Sequence, residues 1–226
     1  METAIPHVLI GVPCERTLMV EAIDGLVQIA TRVAQYNWSW FNFGYRRTDV
    51  ARNMMVHALL DKSEADYLCM LDSDHKHHEA VVERLVSCAL ADPRIKIVGG
   101  MNYRRGPGYE PMAYMFAGEN QLSPIVEPTQ PTLMRVDAIS TASLLIHREV
   151  FEALKPPWFQ YVYENYDKGE CSSEDIQFCR RIRAETQYDI WVHTGIVSPH
   201  LRVTTVSDGS VRARYLAEQE TADVIA

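Results

Sequence analysis

Two carboxylates separated by one residue, Asp72-Ser73-Asp74, follow directly on the apolar run Tyr67-Leu68-Cys69-Met70-Leu71. Acids just past a buried strand converge on the carboxyl edge of a sheet, where the ligands of open α/β sheets bind. Such oxygen ligands suit hard divalent cations, Mn2+ or Mg2+, and leave coordination positions for phosphate oxygens. The competing reading of so short a motif is an acidic loop that caps the next helix. A second acidic pair, Glu174-Asp175, follows Ser172-Ser173 and opens an amphipathic stretch carrying Ile176, Phe178, Cys179 and Ile182. Serine followed by acids is an ordinary helix start, satisfying free N–H groups and opposing the dipole. A carboxylate there also serves as a general base where burial and neighbouring negative charge raise its pKa. Ser140-Thr141-Ala142 places small side chains between two apolar runs, which lets a backbone approach a ligand closely. His200 follows the last apolar run, with His193 nearby. His75, His77 and His78 fit no usual zinc spacing and read as surface histidines at a helix start.

These residues need a scaffold, and the pattern supplies one. His7–Pro13 reads as a short buried strand ending in a loop, and apolar residues recur at helical spacing from Thr17 to Gln35. A second strand over Trp38–Phe43, a helix from Asp49 to Leu60 and the central strand 67–71 follow. Another helix, 78–91, and a strand over 95–100 complete a β-α-β-α-β-α-β rhythm, which indicates a single-domain α/β fold. Its mixed, mainly parallel central sheet would be flanked by helices. The proline- and glycine-rich stretch 104–134 reads as loops with a short strand near Ala113–Phe116. Strands at 133–138 and 143–146, a helix over 148–154 that Pro156-Pro157 ends, and a loop over 164–170 come next. A helix opened by Ser172-Ser173-Glu174-Asp175 and running to about 186, and a strand at 190–192, close the domain at about residue 203. Residues 204–226 read as a polar tail or peripheral helix.

The chain of 226 residues is long enough for one α/β domain with a substantial core. An odd set of five cysteines without a C-x-x-C pair argues against a disulfide framework or a zinc ribbon. A net charge of −8 disfavours a general nucleic-acid surface, and Arg104-Arg105 and Arg180-Arg181-Arg183 read as solvated faces. No apolar run approaches the ~20 residues of a membrane span. The N-terminus lacks the basic start and apolar stretch of a signal peptide, so a cytoplasmic location is expected.

Leu71-Asp72-Ser73-Asp74, with Ala51-Arg52-Asn53 upstream, resembles the D-x-D motif of metal-dependent glycosyltransferases of the GT-A (Rossmann-like) fold, in the family-two-like group. The resemblance implies transfer of a sugar from a nucleoside-diphosphate sugar, a UDP-sugar in most members, with inversion. It places Asp74 as the main metal ligand, Asp72 on the ribose or the metal, and His200 as a third ligand. A neutral imidazole completes a mixed oxygen and nitrogen shell around Mn2+. By the same resemblance Asp175 is the base, Glu174 positions the acceptor, and Arg52 lies near the nucleobase. Pro13, Glu15, Ser73, Ser140, Thr141 and Ala142 fall on the donor side. The acceptor stays open among saccharide, lipid, protein and modified DNA base. The competing readings are a sugar nucleotidyltransferase, against which the first loop Gly11–Thr17 lacks the glycines, and a catalytically idle nucleotide-binding module.

Overall fold

The computed structural model describes residues 6–202 apart from 15–17, 34–35, 37, 45, 107 and 119–120. Glu15 and the 204–226 segment therefore lie outside the described residues. The β-α alternation is present over the first hundred residues: β1 (Val8–Cys14), α1 (Val20–Val33), β2 (Ser39–Gly44), α2 (Thr48–Lys62), β3 (Tyr67–Leu71), α3 (Val81–Ala91) and β4 (Ile97–Met101). Next come β5 (Ala113–Phe116), β6 (Leu122–Pro124), β7 (Leu133–Val136), β8 (Ala138–Ile139), β9 (Ser143–His147) and α4 (Arg148–Glu152). The chain closes with β10 (Val162–Asn165), β11 (Glu170–Ser172), α5 (Glu174–Glu185) and β12 (Ile190–Val197).

The central sheet has seven strands in the order β2-β1-β3-β9-β4-β12-β7. β2, β1, β3, β4 and β12 point one way; β9 and β7 oppose them. β3 is buried throughout because its neighbours cover both edges and helices cover both faces. Its alternate residues serve two cores. Leu68 and Met70 face α2, α4 and α5 with Met55, Leu59, Phe151 and Phe178. Tyr67, Cys69 and Leu71 face α1 and α3 with Leu26, Ile29, Val82 and Leu85. This split fixes the register, since a slip of one residue would exchange the two cores.

Two expectations are corrected. The 164–170 segment is the tip of an antiparallel hairpin, β10 against β11, with Gly169 at φ +66° in the turn. Local alternation is weak there, and Glu164, bound by Arg180 of α5, helps to hold the hairpin. α3 starts at Val81, so His75 and His77 lie in an extended loop, where both are buried. Among the described residues no helix is long and apolar enough to cross a membrane.

β12 leaves β4 through an irregularity between His193 and Val197 that carries the chain towards His200. Gly100 permits this approach: a Cβ there would lie 2.5 Å from the Ile196 carbonyl oxygen and 2.8 Å from Ser143 Oγ. The Ile196 carbonyl is main chain of β12 and cannot turn away. Gly100→Ala is therefore expected to destabilise the fold by about 1–3 kcal/mol, read as a lower midpoint in urea denaturation.

Candidate functional site

At the carboxyl end of β3 the chain is held to two distant segments by backbone bonds. The Asp72 amide donates to the Ala142 carbonyl (2.9 Å), Lys76 N to Pro199 O (2.9 Å), and Leu201 N to Asp74 O (2.8 Å). His77 fastens the same junction. Its Nε2 lies 2.8 Å from the Asp72 carbonyl oxygen, which can only accept, so Nδ1 accepts from the Ser198 hydroxyl at 3.0 Å. Burial pushes the His77 imidazole down to about 4, so it stays neutral at physiological pH. This latch brings His200 to Asp74 across more than a hundred residues of chain.

Asp74, His75 and His200 offer one donor atom each within 4.8 Å of one another, a set able to hold a metal ion. His200 Nδ1 lies 3.1 Å from the Tyr103 carbonyl oxygen, and its Nε2 lies 3.1 Å from Asp74 Oδ2. His75 Nδ1 lies 2.8 Å from Asp74 Oδ1, while its buried Nε2 has no hydrogen-bond partner. The two imidazoles stack with centroids 4.1 Å apart. Burial raises the Asp74 pKa, but hydrogen bonds from His200 and His75 outweigh it and leave the carboxyl well below the usual range. A carboxylate and two imidazoles form a mixed oxygen and nitrogen donor set that suits Mn2+. The guanidinium of Arg105 rests on this cluster, with Nη2 on Asp74 and Nε 2.9 Å from His200 Nε2.

Asp72 is engaged differently. Arg52 of α2, buried to 3% exposure, donates Nη1 and Nη2 to its two oxygens at 3.1 and 3.2 Å. The same guanidinium donates Nε to Glu174 at 3.1 Å. Asp72 is accordingly not among the clustered metal donors, and Arg52 lies in a buried ion-pair network.

Beside Glu174, Asp175 sits at the head of α5. Ser173 occupies the N-cap position but makes no capping bond; its hydroxyl donates to Asp175 instead. Burial and the Glu174 charge push the Asp175 carboxyl up to about 6, against the pull of Ser173, Arg52 and the Ile176 amide. Tyr161 faces the same pair, and burial and Glu174 push its phenol up to about 12.

Pro13, Asp72, Ser73 and Asp74 line a cleft of about 140 Å³ with Cys14, Arg46 and Thr48. Ser140, Thr141 and Ala142 are buried and do not line it; Ser140 Oγ accepts from Asn102 at 3.1 Å. His193 lies on β12, away from the Asp74 cluster. The sequence reading missed His75, His77 and Arg105. The only available signal was that His75 directly follows Asp74, which the surface reading of the histidine run obscured.

No family model and no curated protein sequence matches this chain. Among solved structures, A197 from STIV is similar with a TM-score of 0.61 at 16% identity, over 87% of this chain and 86% of that one. GalNAc-T7, crystallised with UDP, GalNAc and Mn2+, is similar with a TM-score of 0.53 at 13% identity, over 88% of this chain and 44% of that one. A glycosyltransferase involved in glycosylation of the major capsid of PBCV-1 gives 0.48 at 10% identity, over 88% and 95% of the two chains. At these identities the likeness is one of fold, a single α/β domain of GT-A kind.

Removing Arg52 would leave the buried Glu174 and the half-buried Asp72 without their countercharge. Arg52→Met is expected to destabilise the protein by about 3 kcal/mol or more. Arg52→Lys should recover little of that loss, because an ammonium cannot fork to both carboxylates. Guanidinium denaturation of the three proteins checks both statements.

Proposed function

We propose that this chain is a metal-dependent glycosyltransferase that moves a sugar from a nucleoside-diphosphate sugar to an acceptor hydroxyl with inversion. A UDP-sugar is the donor that the D-x-D resemblance implies. The observation that carries the reading is the pairing, on one sheet edge, of a metal-competent cluster with a carboxylate poised to take a proton. Asp74, His75 and His200 form the cluster, and Asp175 is the carboxylate. GT-A-kind folding agrees with it, and GalNAc-T7 was crystallised with UDP and Mn2+.

Asp74, His75 and His200 would hold Mn2+ or Mg2+, which when bound neutralises the diphosphate and makes it a better leaving group. The cleft beside them, lined by Arg46 and Thr48, receives the nucleotide. Asp175 takes the proton of the acceptor hydroxyl as the new C–O bond forms at the anomeric carbon and the bond to the diphosphate breaks. Glu174 serves this step indirectly, because its charge raises the basicity of its neighbour. Arg52 keeps both acids in place.

A ligand that binds only the folded state raises the melting temperature by mass action. One nucleotide sugar is expected to stabilise the protein in a Mn2+-dependent way that Asp74→Ala abolishes. A flat response from folded protein would reject the reading.

The Asp175 base must be ionised to act. Its folded pKa is raised, so activity should climb with pH through a limb near 6 rather than near 4. Glu174, Arg52, Tyr161, Tyr114 and Cys179 are the ionisable groups that bear on it. Asp175→Asn should remove the limb together with nearly all turnover, as measured by a pH–rate profile.

Arg105 and a divalent cation compete for Asp74 and His200. Arg105→Ala is expected to tighten Mn2+ binding about two- to fivefold, the worth of a half-exposed ion pair, by isothermal titration.

A further inference from the structure

The hairpin β10–β11 runs directly into Ser173 and the Glu174-Asp175 pair, so whatever lies on it lies next to the proposed base. It is rich in exposed aromatics. Tyr161 is 39% exposed, Tyr163 61% and Tyr166 78%. Tyr163 and Tyr166 meet edge to face with centroids 5.4 Å apart, and the Arg47 guanidinium lies 5.6 Å from the Tyr161 ring. A two-stranded hairpin is marginal by itself. Here Glu164 is bound to Arg180 of α5, and Arg180 Nη1 also reaches Ser172 Oγ at 3.4 Å. The rings are thus presented to solvent on an anchored ribbon and do not pack into the core.

We infer that the Tyr161–Tyr166 face of this hairpin is the acceptor-binding surface and that its ligand is a neutral saccharide. The inference rests on the transferase reading above and names its substrate class. A pyranose has one face of C–H bonds and a rim of hydroxyls. A tyrosine offers an apolar ring and a polar tip, so the two surfaces complement each other. Charge and polarity separate the saccharide from a nucleic acid and from a lipid. Glu164 is paired with Arg180, and the remaining Asp167 and Glu170 against Lys168 leave the hairpin acidic, which disfavours the phosphates of a nucleic acid. Along the chain the same acids alternate with the tyrosines and interrupt the continuous apolar patch that a lipid chain needs. Tyr161, nearest to Glu174, would set the hydroxyl of the terminal sugar, while Tyr163 and Tyr166 would carry the sugars behind it.

The test is saturation-transfer NMR on the full chain with UDP and diamagnetic Mg2+. Its probes are neutral tetrasaccharides of glucose, mannose, galactose and N-acetylglucosamine at millimolar concentration, with a single-stranded DNA 12-mer as the polyanionic control. Wild-type protein is expected to transfer saturation to the ring protons of at least one saccharide and to bind it more tightly than the DNA. Tyr163→Ala and Tyr166→Ala should each weaken that binding about fivefold, while Tyr166→Phe retains it. Both side chains are exposed, so the melting temperature of each variant should match wild type. Absence of transfer to every saccharide, preferential binding of DNA, or indifference to both alanines would overturn the inference. The thermal shift with nucleotide sugars, run on the same protein, tests the parent reading separately. Saccharide binding without nucleotide binding would sink the transferase and leave the surface standing.

Discussion

A guanidinium at 3% exposure must meet its countercharge inside the protein, and in this chain that requirement organises the site. Arg52 comes from α2, Asp72 from the end of β3 and Glu174 from the start of α5. None of the three tolerates its position without the others, because an unpaired buried charge costs several kcal/mol. The planar fork of arginine lets one side chain bind both oxygens of Asp72 and still reach Glu174. The end of the central strand and the head of α5 are thereby held at a set separation, and so are Asp74, two residues from Asp72, and Asp175, next to Glu174.

The junction between 72–77 and 198–201 works by a different principle. It relies on backbone pairing, closed by an imidazole that burial keeps neutral. A charged residue at position 77 would add a second desolvation cost beside Arg52. A neutral histidine instead donates to the Asp72 carbonyl and accepts from Ser198 without one. Arg105 approaches from the solvent side and is half exposed, so it can leave its place on Asp74 and His200 at low cost. Rigid support behind the site and an exchangeable cation in front of it follow from burial alone.

Much of the scaffold was legible because it obeys local rules. The apolar run 67–71 stopped by Asp72 marks a strand buried on both faces, and the α1 and α3 periodicities mark its cover. The head of α5 was readable from Ser173 and two acids, although the serine hydroxyl turned out to bond Asp175 and not a free amide. What escaped was non-local. Arg52 and Glu174 are separated by 122 residues, and nothing in the spacing of either reveals the other. The run His75-Lys76-His77-His78 looks solvated by composition, yet two of its histidines are buried where the segment after β12, Ser198 to His200, returns over them. The β10–β11 hairpin was hidden for a similar reason: part of its hold comes from Arg180 on another element.

Four carboxylates crowd the sheet edge of a chain whose net charge is already −8, an arrangement poorly suited to a diphosphate unless the charges are allotted. Arg52 takes Asp72 and Glu174 out of account by pairing both. That leaves Asp74 and Asp175, and their surroundings drive them apart. Two imidazoles keep Asp74 ionised, whereas burial beside Glu174 makes Asp175 reluctant to give up its proton. A carboxylate ionised at every physiological pH is suited to holding a cation. One that titrates near the working pH is suited to exchanging a proton. On the proposed reading these are the two roles a metal-assisted sugar transfer needs, and one buried arginine is what keeps the two acids from being interchangeable.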